Sequence, residues 1–288
     1  MRDLLKECLV EESGFVELRY HHKENRSFFA EKGRIESTGL RKRSGIGVRV
    51  LHDGTWGFAS TSEISKSSIQ NAIRIAKQAA GISAPLRGEK IESLPKANFA
   101  KGDFIGDGID DFRNKTVEEK LNFVLKIQES AQKSSTFLQS VGCGYSEIYE
   151  EKAIVTTDGA DSFFSMVRPE FRVNAVANLG GKLESGSESI GVTGGWDCLF
   201  KNKSALQISE DACKTAIDLL QSEMPNGGLS TVILSPSIVG LLVHEAIGHT
   251  VEADFVLAGS VAKGKIGTRV GSDLVSLCDS GVSEYYLG

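Results

Sequence analysis

Proline is scarce in this chain, five in 288 residues, and aromatic side chains make up only 7%. That scarcity excludes collagen-like and proline-rich low-complexity classes. No apolar run approaches the roughly 20 residues that a membrane-spanning helix needs; Ile238-Val239-Gly240-Leu241-Leu242-Val243 falls far short. The five cysteines, Cys8, Cys143, Cys198, Cys213 and Cys278, are odd in number, widely spaced and without a CxxC pair. Such usage argues against a disulfide framework and against a zinc ribbon, and a reducing cytoplasm fits it best. Positive charge is not in excess: a formal net charge of −5 and a pI near 5.7 give no general attraction to nucleic acid or anionic membranes. The opening MRDLLKECLVEESG lacks a basic stretch followed by an apolar one, so it does not read as a secretory signal.

What is present, 40% hydrophobic and 25% charged residues with 31 glycines, describes a globular chain rich in turns, long enough for two or three domains. Leu5 to Val10 has helical spacing, and Phe15 to Tyr20 alternates as a strand. Short strands are expected at Ser27 to Ala30, Arg34 to Ser37 and Gly45 to Leu51, with His52-Asp53-Gly54-Thr55 as a hairpin turn before Trp56 to Ala59. Ser65 to Ala80 carries Ile69, Ala72, Ile73, Ala76 and Ala79 on one helical face. Pro85 to Gly108 has no period and reads as a linker or surface crossing. Thr116-Val117-Glu118-Glu119 is a capping box opening a second unit. In that unit strand-like segments run from Gly142 to Leu179, a glycine-rich stretch follows, and Ser204 to Leu220 closes as a helix. Met224 to Gly228 punctuates again, Ser230 to Leu234 reads as a short buried strand, and Ser235-Pro236-Ser237 caps an apolar helix from Ile238 to Val251. The expectation is an α+β protein of three units, 1–104, 105–221 and 222–288, with antiparallel sheets covered by helices.

The last helix carries His244-Glu245-Ala246-Ile247-Gly248-His249, two of the chain's five histidines bracketing a carboxylate. In the common zinc motif the histidines stand four apart, about 40° around the helix; five apart is about 140°, a poor aim for one metal. A π-bulge accommodates one inserted residue, and Gly248 is the position most permissive of it. Glu245 and Glu252 fall between the two histidines around the helix. Two neutral imidazoles on Zn2+, with Glu245 as general base toward a water, are the economical answer to such a cluster. Glu252 would ligate, or orient a histidine. The alternative is a pair of core histidines hydrogen-bonded to Glu245, Glu252 and backbone carbonyls.

The string HEAIGHTVEADFV, with TVILSPSIVGLLV before it, resembles the signature helix of the TldD/PmbA family, in its TldD-type form. SGIGVRVLHDGTWGFAST, Ser44 to Thr61, and the alanine-rich helix after it resemble that family's opening domain; the middle is similar in layout only. The resemblance implies a zinc peptidase in which His244 and His249 hold the metal together with a cysteine, and Glu245 activates water. Glu252 matches the family's acidic position after the second histidine. It further implies unfolded or short peptides as substrates, and a homodimer or a heterodimer with a PmbA/TldE-type chain that lacks the motif. TldD proteins run longer, and their ligand cysteine lies beyond Glu284-Tyr285-Tyr286-Leu287-Gly288, so the metallopeptidase domain is expected to be incomplete here. The rival expectation is a non-catalytic peptide-binding or assembly subunit. Cys278, in LVSLCDSG, resembles the strand before an acidic turn and not the ligand position.

Other signals weigh less. Arg41-Lys42-Arg43 is expected at a solvated hairpin tip, with no nucleic acid bound. His21 and His22 are adjacent and, on a strand, point to opposite faces. The Gly180-Gly181 and Gly194-Gly195 pairs lack the strand-to-helix setting of a phosphate loop.

Overall fold

A computed structural model describes residues 1–279; the chain end at Glu284 to Gly288 lies outside the described residues. Two long strands open the fold, β1 (Phe15–Glu31) and β2 (Arg34–His52), followed by β3 (Thr55–Thr61). The short strands expected from sequence are stretches of these longer ones. Both turns use consecutive residues with positive φ, Lys32 (53°) and Gly33 (70°), then Asp53 (52°) and Gly54 (74°), the backbone that two-residue hairpins favour. Asp53-Gly54 therefore turns where the sequence expects it to. The basic run Arg41 to Arg43 does not sit at a tip: it lies within β2, opposite Asn25, Glu24 and Lys23 of β1.

The remaining strands are β4 (Lys101–Ile105), β5 (Leu138–Thr156), β6 (Asp161–Leu179) and β7 (Lys182–Gly191). They join the first three in one sheet of order β3-β2-β1-β5-β6-β4, with β7 also paired to β6. Every pairing is antiparallel except β4 with β6. Because β1 pairs with β5 from Glu17↔Thr156 to Glu31↔Gly142, the sheet is continuous across residue 104, and Met1–Glu223 is a single compact unit. β4 arises inside the aperiodic segment and β7 inside the glycine-rich one. Both are edge strands whose side chains are largely exposed, so neither needs the alternation that marks a buried face.

One face of the sheet carries the helices. Helix α1 (Arg2–Leu9) and α2 (Lys66–Ser83) bury Leu5, Ile69 and Ile73 against Val16, Leu18, Ile46 and Val48. After the short α3 (Ile109–Asn114), α4 (Val117–Gln132) and, beyond the short α5 (Trp196–Leu199), α6 (Ala205–Leu220) bury Val124, Ile208 and Ala212 against Val141, Phe171 and Val173. Helices approach strands closely where glycine allows it. A Cβ at Gly57 would stand 1.9 Å from the Ala76 carbonyl oxygen, and one at Gly186 2.2 Å from that of Ala212. The expected capping box of α4 is formed, with Thr116 accepting from the Glu119 N–H and Glu119 from the Thr116 N–H.

Between the two apolar cores runs a polar seam. Lys120 of α4 is fully buried and donates to Glu147 of β5 at 2.6 Å; Tyr145 donates to the same oxygen at 2.6 Å. Arg26 lies 3.7 Å from the other Glu147 oxygen and 4.4 Å from the Phe112 ring centroid. Burial, reinforced by Glu147, pushes the Tyr145 phenol pKa up, which keeps it a hydrogen-bond donor. All five cysteines are free; Cys143 is buried, and its thiol is pushed up to about 12 by that burial and by nearby Cys213.

The second compact unit begins at Met224. Ser230 to Leu234, expected as a buried strand, forms no strand pairing with any described residue, and Ile233 is fully exposed. A β-branched run becomes a strand only beside a partner, and no described residue pairs with it. No helix among the described residues is long and apolar enough to cross a membrane.

Candidate metal centre

Ser235 caps the N-terminus of α7 (Pro236–Val243), its side chain accepting from the Ile238 N–H, with Pro236 at the first helical position. The apolar face expected from Ile238 to Val251 is continuous in backbone but not in pitch. His244–Gly248 is a π turn, and His249–Val251 returns to α geometry. The bulge inferred from the five-residue spacing is therefore present. The hydrogen bond that closes it runs from the His249 N–H to the His244 carbonyl, an i→i+5 bond that brings the two histidines to one side. Their rings stand 4.6 Å apart between centroids, inclined at 66°. Gly248 is helical (φ −50°), and a Cβ there would meet ordinary contacts at 3.7 Å or more. Its role is thus not to relieve steric strain; it leaves the flank of His244 uncovered.

His244, Glu245 and His249 can each offer one ligand atom such that all three lie within 4.8 Å of one another. They form the one such group of three or more among the described residues. His244 and Glu245 are exposed and His249 half-buried. Glu252 ends the helix (ψ 139°), yet its carboxylate lies 2.9 Å from His249 Nδ1. An imidazole that gives Nδ1–H to a carboxylate keeps Nε2 as its lone-pair donor and has its ring orientation fixed. The Nε2 atom stands 3.9 Å from a Glu245 oxygen. Two imidazole nitrogens, a carboxylate at hand and an oriented ring make a donor set suited to a borderline metal such as zinc. All four residues named from the sequence meet here. Phe255, not anticipated, adds an aromatic wall with its ring centroid 6.1 Å from that of His249; nothing in the period marked it. Cys278 is exposed and not in the group.

Comparison with known proteins gives this constellation its setting. Residues 16–80, 110–220 and 227–288 match, in turn, models described as PmbA/TldA metallopeptidase domain 1, central domain and C-terminal domain. The chain belongs to the PmbA/TldD family. A metalloprotease of Methanocaldococcus jannaschii is 28% identical over 98% of this chain and 61% of its own length. A zinc metalloprotease TldD homolog of Saccharolobus solfataricus is 29% identical over 93% of this chain and 56% of its own length. The chain thus spans less than two thirds of these PmbA/TldD relatives. The solved structure of a candidate modulator of DNA gyrase from Bacteroides thetaiotaomicron superposes with a TM-score of 0.75 at 14% identity, over 94% of this chain and 61% of that one, so the PmbA/TldD fold is shared at low identity.

Proposed function

We propose that this chain is a TldD-type zinc metallopeptidase subunit that hydrolyses unfolded or short peptides. The observation that carries the reading is the π turn, which converts a five-residue spacing into two histidines and a glutamate within reach of one ion. His244 and His249 are the metal ligands and Glu245 the general base. Zinc, when bound, supplies a Lewis acid that polarises a carbonyl and makes water acidic near neutral pH. Glu245 accepts the proton of the attacking water at a carboxylate oxygen and delivers it to the departing amine nitrogen. Glu252 holds the His249 ring through Nδ1. The metallopeptidase names of the matched relatives support the class, and one of them names zinc. A cytoplasmic location and pairing with a second copy or with a PmbA/TldE-type chain belong to the same proposal.

A second reading is favoured by one observation: catalytic zinc usually has three protein ligands, and no third histidine or cysteine joins the group among the described residues. On that reading the chain binds peptides or assembles with a partner without turnover. Metal removal separates the two. For a peptidase, cleavage of a fluorogenic unstructured decapeptide is lost on dialysis against a chelator and returns with stoichiometric zinc. Turnover indifferent to chelation contradicts the zinc assignment, whereas no turnover with zinc bound supports the second reading.

A further inference from the structure

We infer that the first unit carries a docking site for an extended acidic polypeptide segment, built on the free edge of β2 and the cationic face beside it. β3 pairs with β2 only from Ile46↔Thr61 to His52↔Thr55. From Arg34 to Gly45, β2 is paired on one side with β1 and on the other side with no described strand. Along such an edge every second residue offers its N–H and C=O outward, a template for one more strand. Except for the half-buried Ile35 and Gly45, the residues of this stretch are exposed.

Charge selects the occupant. Val16, Leu18, Ile46 and Val48 show that the even positions of β1 and β2 face the helices, so Lys23, Arg41 and Arg43 point to the opposite face. Lys23 and Arg43 are direct cross-strand partners, a juxtaposition of like charges that costs stability. Neither they nor Arg41 makes an ion pair within 4.0 Å among the described residues. The nearby carboxylates are already engaged: Glu17 by Arg19 and Arg49, and Glu150, the partner of Lys23 across β1 and β5, by His21, Lys152 and Arg168 as well, which leaves Arg41 and Arg43 as the cations without a facing carboxylate among the described residues. Where β3 ends, a groove of about 510 Å3 opens between Arg19, Lys23 and Arg43, with Gly45 and Gly47 in its floor and Ser60 and Ser62 on its rim. No carboxylate among the described residues lines it.

A strand added along Arg34 to Gly45 would place alternate side chains about 5 Å from Arg41 and Arg43. Carboxylates at those positions would supply the missing counter-charge. A second copy of the same edge, paired antiparallel over the whole stretch, would set Gly39 and Ser37, not carboxylates, opposite Arg41 and Arg43, so a different, acidic chain is the better fit. The site is independent of the metal helix: binding there requires no hydrolysis, and its failure would leave the peptidase reading untouched.

The test uses the full chain and a fluorescein-labelled decapeptide of alternating glutamate and threonine, read by fluorescence anisotropy. Binding is expected to weaken at least tenfold in R41A/R43A and to fall with salt. It is also expected to be lost with at least one of two peptides N-methylated at odd or at even positions, which keep the charge but cannot pair as a strand. Unchanged affinity in R41A/R43A, or full affinity of both methylated peptides, would overturn the proposal. Equal or tighter binding of a lysine-threonine decapeptide, or of a single-stranded oligonucleotide of equal charge, would overturn it as well.

Discussion

Glu245→Gln is expected to lower peptide hydrolysis by about two to four orders of magnitude, the usual weight of one general base, while leaving bound metal unchanged. Glutamine keeps the size and one oxygen of the side chain but cannot take a proton from water. The two histidines would still face each other, since the i→i+5 bond that aligns them is between backbone atoms of His249 and His244. The effect should fall on kcat, with KM nearly unmoved, because Glu245 acts on the water and not on the peptide. Metal analysis of the same preparation guards against a trivial loss of the ion. Retention of more than a tenth of wild-type turnover would remove Glu245 from the role of base.

Lys120→Met should strongly destabilise the first unit. It leaves Glu147, whose side chain is 2% exposed, without its ammonium partner and with one oxygen already lacking a hydrogen bond. Breaking a buried pair from one side typically costs about 3–5 kcal/mol. The Tyr145 hydroxyl and the Arg26 guanidinium would remain near the carboxylate, which places the expected loss toward the lower end of that range. Removing both charges, Lys120→Met with Glu147→Leu, should recover more than half of the loss, since no uncompensated charge is then buried. Urea unfolding followed by tryptophan fluorescence reads this cleanly: Trp56 and Trp196 both lie in the first unit, and Trp196 stands 5.1 Å from the Tyr145 ring. A single variant as stable as the wild type would mean that the pair contributes nothing.

How far the sequence speaks depends on which physical signal a segment needs. The histidine spacing was legible because an i, i+5 pair on an apolar helix is geometrically awkward for a metal unless the helix widens, and His244–Gly248 does widen. Asp53-Gly54 was legible for a similar reason, since few residue pairs tolerate two successive positive φ values. Arg41-Lys42-Arg43 misled because β2 between Arg34 and Gly45 is exposed on both faces. Such a strand shows no apolar alternation, and its glycines read as turns. Ser230 to Leu234 misled in the opposite sense: its composition suits a buried strand, but pairing depends on distant chain that composition does not report. Nothing in the periodicity of α4 singles out Lys120 as buried, and only the register of β5 reveals Glu147 as its partner.

On the peptidase reading His244 and His249 hold a metal. Elemental analysis of protein purified in metal-free buffer, for the wild type and for His244→Ala with His249→Ala, tests it directly. The account predicts close to one zinc per wild-type chain and none in the double variant, with tryptophan fluorescence of the first unit unaltered. Equal metal in both proteins, or none in either after incubation with zinc, would contradict it.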